Sequence, residues 1–209
     1  MRKYHLFLLI SLFVAVSCTT KVNESIVIKE GQRVNKNLYT VNGNIIVGPN
    51  STVNGSCATV NGRIVIKDNS TVRDIKSING EIIVGKNSRV KKSITLINGA
   101  IKIDSLAVVA GKIGTVNGSL TAQKAHLLGN ISTVNGDIFL TAHTVLEGNI
   151  IIKGKNGNDE KRKVDIYLKD GSEIKGNIES KATNTEVTVH ALNNSKVDGD
   201  VIGAEILYE

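Results

Sequence analysis

The stretch Val41-Asn42-Gly43-Asn44-Ile45-Ile46-Val47-Gly48-Pro49-Asn50-Ser51-Thr52-Val53-Asn54-Gly55-Ser56-Cys57-Ala58-Thr59 runs straight into a second copy of its own pattern, opening Val60-Asn61-Gly62-Arg63-Ile64-Val65-Ile66. An aliphatic-Asn-Gly tripeptide recurs six times, at Asn42-Gly43, Asn61-Gly62, Asn79-Gly80, Asn98-Gly99, Asn117-Gly118 and Asn135-Gly136. Its glycines follow one another at steps of 19, 18, 19, 19 and 18. A second column, Gly55, Asp74, Lys92, Gly111, Gly129 and Gly148, keeps steps of 19, 18, 19, 18 and 19. Two columns with one mean period define a structural repeat, and fixed periods of this size mean stacked units.

Inside one copy the residues two apart are Val41, Gly43, Ile45 and Val47. The turn cluster Gly48-Pro49-Asn50-Ser51 follows, then Val53, Gly55 and Cys57. Alternation of period two predicts short strands with one face inward, and it places Val41 and Val60 inside. No helical stripe of apolar residues interrupts it. Strands this short cannot build long hairpins, so each pairs with its equivalent in the coils above and below. The predicted fold is all-β, a single-stranded parallel β-helix, or β-solenoid.

The pattern extends both ways. Ile28, Val34 and Leu38 match Val47, Val53 and Cys57 at a shift of 19, which starts the solenoid near Ile26. Downstream, Ile174, Gly176 and Ile178, then Val197, Gly199 and Val201, repeat half a coil. The step from Gly148 to Gly176 is half as long again as the others, and the excess is a charged loop at 154–163. The domain spans 26–207 in about nine coils of 18–19 residues. One coil alone buries too few aliphatic side chains to offset the entropy of ordering its backbone, so stability must come from stacking. At the marked column Gly either takes positive φ or lets backbones approach closely. Stacked at one corner, the six asparagines are expected to form an amide ladder. Six independent Asn-Gly turns are the alternative, and the role is structural in both.

The N-terminus reads as an address. Arg2 and Lys3 precede an apolar run, Leu6 to Val16, broken only by Ser11. That is short for a bilayer span and suits a signal peptide at 1–17. It ends in Ala15-Val16-Ser17-Cys18, which resembles a bacterial lipobox with Cys18 as the lipidated residue. Residues 18–25 are then a lipidated linker. Acyl chains on Cys18 would anchor the chain without a transmembrane helix. Thr19 stands where an Asp would favour the inner membrane, which mildly favours the outer. With Cys18 acylated, Cys57 has no disulfide partner and reads as a small core residue.

Units such as Val109-Ala110-Gly111-Lys112-Ile113, Leu146-Glu147-Gly148-Asn149-Ile150 and Val197-Asp198-Gly199-Asp200-Val201 resemble the bactofilins, the bacterial polymer-forming cytoskeletal family. The resemblance covers roughly residues 26–207. It implies a right-handed, triangular β-helix that assembles end to end without nucleotide. Typical bactofilins are cytoplasmic, whereas this chain carries a lipoprotein-like leader. The placing of Val41, Val47, Val53 and Val60 at steps of 6, 6 and 7 keeps a left-handed hexapeptide helix as the alternative.

No catalytic constellation emerges. His126 aligns with Val145 and His143 with Lys124, so no histidine pair stacks to bind metal. No phosphate loop or dinucleotide fingerprint is present, and no metal or cofactor is expected. Without the leader the charge is 24 − 19 = +5, of which Lys153 to Lys163 supplies +3. That leaves no basic stripe for nucleic acid. Tyr39, Phe139, Tyr167 and Tyr208 are read as forming no column, which disfavours a glycan platform. The expected function is therefore non-catalytic. The chain reads as a membrane-anchored lipoprotein of the bacterial cell envelope that self-associates or scaffolds partners. An envelope glycan- or peptidoglycan-binding module is the alternative. Candidate self-association residues are Ile46, Val65 and Ile83 on one outward column, and Ile206 and Tyr208 at the C-terminal end.

Overall fold

The computed structural model describes residues 18–154 and 161–209. The expected leader at 1–17 and residues 155–160 of the expected loop lie outside the described residues. Every regular element described is a strand, and all pairings are parallel, each strand stacking on its equivalent one turn away. The chain is a β-solenoid of about ten turns.

Three columns of strands give it three faces. The first runs from Cys18–Lys21 to Val201–Ile202, with Leu38, Cys57, Ile75, Ile94, Ile113, Ile131, Ile150 and Ile178 in register between. The second runs from Ile26–Ile28 to Glu205–Tyr208 through Ile45, Ile64, Ile82, Ile101, Leu120, Ile138, Ile166 and Val189. The third runs from Arg33–Val34 to Lys196–Val197 through Val53, Val72, Val90, Val109, Leu127, Leu146 and Ile174. These in-register aliphatics form one continuous core along the rod. At ~4.8 Å per turn the rod is about 45 Å long.

The corner after the second face turns through left-handed residues: Asn50 (φ 57°), Asn69 (56°), Asn87 (53°), Leu106 (60°) and Lys124 (47°). Asparagine tolerates this conformation; leucine does not, and Leu106 is held there at a cost. Just beyond, a buried hydroxyl column closes the turn from inside. Ser51 N–H donates to Ser70 Oγ at 3.2 Å and Ser70 N–H to Ser88 Oγ at 3.1 Å. Thr144, Ser172 and Ser195 resume the pattern further along. Backbone donors that would otherwise be orphaned in a dry corner are thereby satisfied.

Three sequence expectations are revised. Val41 is 37% exposed, as are its equivalents Ile78 at 41% and Ile97 at 38%, while Thr40, Thr59 and Ser77 face the core. The alternation is not continuous through Asn-Gly: the bend resets its phase, so Ile45 is inward and Val41 is not. Second, Cys18–Lys21, expected as linker, is a strand paired with Asn37–Thr40. Its inward positions hold Thr19 and Lys21, so the aliphatic signal that marks the other turns is missing there. Third, the expected charged loop ends earlier than 163, because Arg162–Leu168 is already a strand on the second face.

Candidate functional site

The Asn-Gly tripeptides lie at the corner between the first and second faces. Asn42 Nδ2 donates to Asn23 Oδ1, Asn61 to Asn42, Asn79 to Asn61 and Asn98 to Asn79, each at 2.8 Å, and Asn117 to Asn98 at 3.1 Å. The first rung, Asn23, escaped the sequence reading because it is followed by Glu24 rather than glycine. Asn135 meets Asn117 through a backbone bridge, and its side chain makes no amide bond among the described residues. Gly43, Gly62, Gly80, Gly99, Gly118 and Gly136 stack alongside. At each a Cβ would strike a backbone carbonyl of the turn below, and Gly62, Gly80 and Gly99 also take positive φ, 133° at Gly99 over the Gly80 oxygen. The corner is a stiffener with its amides satisfied by one another.

The titratable groups of the described residues make small surface clusters of two or three. Glu147 Oε1 accepts from His126 at 2.8 Å and Lys175 at 3.0 Å. These bonds, His126 first, hold its carboxyl below the usual range. His190 lies 3.3 Å from Asp165. No group of three metal-ligating side chains occurs among the described residues. Burial, with a smaller contribution from Asp74, pushes the Cys57 thiol up to about 12. A thiol that stays protonated is inert.

On the second face one outward column reads Val27, Ile46, Val65, Ile83, Lys102, Thr121, Phe139, Tyr167, His190, Leu207. Ile46, Val65 and Ile83 are half-buried by their neighbours, whereas Val27 at the end is open. This corrects the expectation that the aromatics form no column. Phe139 stacks on Tyr167 at 5.0 Å and Tyr167 on His190 at 4.5 Å, with the ring planes nearly parallel. The unequal and over-long steps between the three hid the alignment. Face-to-face stacking uses the ring faces that a sugar would need.

The ends differ chemically. At the N-terminal end Lys21 stands on the inward column and pairs with Glu24 at 2.6 Å. At the C-terminal end Ile206 and Tyr208 continue the inward column over Val189 and Ala191. Ile206 is half-buried against the core and Tyr208 is 64% exposed. Cys18 is exposed, with Sγ 3.4 Å from Thr20 Oγ1.

Thr20 marks the start of a surface groove, about 370 Å³, along the first face. It is lined by a ridge of exposed Val41, Ile78 and Ile97 with half-buried Val60, and beside it by half-buried Ala58 and exposed Lys76 and Thr95. Compared with family models, curated proteins and solved structures, the chain gives no match.

Proposed function

We propose that this β-solenoid is a non-catalytic structural lipoprotein of the bacterial cell envelope, anchored through Cys18 and self-associating through its ends. The observation that carries the reading is the parallel, in-register stacking: each turn is held to the next by backbone bonds and one aliphatic core, which Val201 and Ile206 continue. A strand edge of this kind, where it is left unpaired, templates pairing with another. The resemblance to bactofilins supports the same reading. So does the lipobox-like Ala15-Val16-Ser17-Cys18.

Sedimentation velocity and electron microscopy of the purified protein test it. Concentration-dependent assemblies are expected, and a monomer at high concentration overturns self-association. The anchor is tested separately. Metabolic fatty-acid labelling should mark the wild type and not Cys18→Ser, and Cys18→Ser should leave the membrane fraction. An unlabelled wild type overturns the lipoprotein reading.

A further inference from the structure

Several basic side chains in the first half of the rod line one corner. The corner leading into the first face carries Lys36 and, beginning two turns further on, Arg73, Lys91, Lys92 and Lys112; Lys92 N–H is bonded to the Arg73 carbonyl, Gly111 N–H to that of Lys92, and Lys91 Nζ donates to Asn54 Oδ1 on the intervening turn. The carboxylate among them, Asp74, is buried and held by Arg73 at 3.0 Å and Ser56 at 3.0 Å. Among the described residues, Lys36, Lys92 and Lys112 pair with no carboxylate. The sequence reading, which placed most of the excess charge at 153–163, did not find this row because its members are scattered from Lys36 to Lys112.

The row flanks the apolar groove. From Lys36 to Val41 the strand crosses the first face in five residues, about 16 Å. One surface therefore offers a cationic rail and, parallel to it, an aliphatic ridge. On the other faces part of the charge is taken up locally: Glu81 takes Arg63 and Lys102 on the second, and Glu173 takes Lys196 on the third, while Arg33 and Arg89 on the third pair with no carboxylate among the described residues. Cations beside aliphatics are what an anionic bilayer binds, phosphates against the rail and the upper acyl region against the ridge. Cys18 lies at the end of this same face, so a chain tethered there would hold the surface close to lipid.

We infer that the first face is a membrane-contact surface for anionic lipid, so that the rod lies along the bilayer instead of standing off it. This deepens the anchored reading above, but it draws on residues 36–112 and not on acylation of Cys18. The chain contains no Trp, so a single introduced Trp reports its own surroundings. Thr95→Trp places one in the groove and Val108→Trp one on the outward side of the third face. Lys76→Trp, exposed in the same groove, serves if Thr95→Trp does not fold.

The full chain is mixed with vesicles of equal phosphatidylglycerol and phosphatidylcholine carrying brominated acyl chains. The groove Trp should shift to the blue and be quenched several-fold more than Val108→Trp. Pure phosphatidylcholine, or the triple variant Lys36→Gln, Lys92→Gln, Lys112→Gln, should remove most of that quenching. Protein that sediments with vesicles while both reporters stay unquenched is tethered only, and overturns the inference. Equal quenching at both sites overturns it too, as does a groove Trp that responds to a soluble polyanion such as heparin and not to vesicles. Quenching in a chain without detectable lipid would sustain this contact and defeat the Cys18 anchor.

Discussion

At Gly99 a methyl group has nowhere to go. The backbone of the turn below occupies the space, and φ lies where L side chains are strained. Gly99→Ala should cost about 2–4 kcal/mol, from strain plus displaced backbone. Gly31, at φ 68° with open space around its Cβ position, carries the strain alone. Gly31→Ala should therefore cost about 1–2 kcal/mol. Urea midpoints of the two variants check this ordering. Cys57 gives a prediction in pH. Its folded pKa, about 12, lies above the ordinary 9.0, so between those values the unfolded chain sheds a proton that the folded chain keeps. The thiol's contribution to stability is complete below pH 9.0 and is lost as pH rises through that window. The loss runs at up to about 1.4 kcal/mol per pH unit. Melting temperatures should therefore fall more steeply from about pH 8.5 to about pH 10.5 in the wild type than in Cys57→Ala. Parallel slopes would contradict the assignment.

At the level of the strand, the inward aliphatics were legible because alternation is strict within each short strand. Ile64, stacked between Ile45 and Ile82, shows it. Ile64→Asp should bury an uncompensated carboxylate and cost several kcal/mol. Arg63→Ala forfeits only an exposed pair with Glu81. Such pairs are worth about 0–1 kcal/mol. Thermal unfolding of the two variants side by side is the check, and equal melting temperatures would refute the assigned faces. What was not legible lies at the corners. Val41 and Thr40 exchange sides because a bend resets the phase, and alternation carries no mark of where a bend falls. The cationic rail and the Phe139–Tyr167–His190 stack are relations between turns, visible only once unequal repeat lengths are brought into register. Cys18–Lys21 was missed because its inward residues are Thr19 and Lys21, which no hydrophobic pattern selects.

For the whole molecule, the outermost described turns differ in chemistry. Lys21 and Glu24 keep part of the first turn polar, while the last turn offers Val201, Ile206 and Tyr208. If assembly uses the apolar end, Tyr208→Lys should shift sedimentation toward the monomer with little change in melting temperature. Ile206→Lys should do the same at some cost in stability, because Ile206 already packs on the core. Unchanged assembly in both would exclude that end.

Stacked turns that begin alike have a consequence for heredity. Asn61 and Asn79 hold the same position and each is followed by glycine, so loss or duplication of the segment between them keeps the remaining turns in register. Removing residues 62–79 joins Asn61 to Gly80 and sets Ile82 on Ile45. Circular dichroism and small-angle scattering of that deletion should report a folded β-rod shorter by about 5 Å, one strand spacing. An unfolded product would show that the turns are not interchangeable. If the shortened rod folds, rod length is a trait that a lineage can adjust in whole steps without first passing through a broken core.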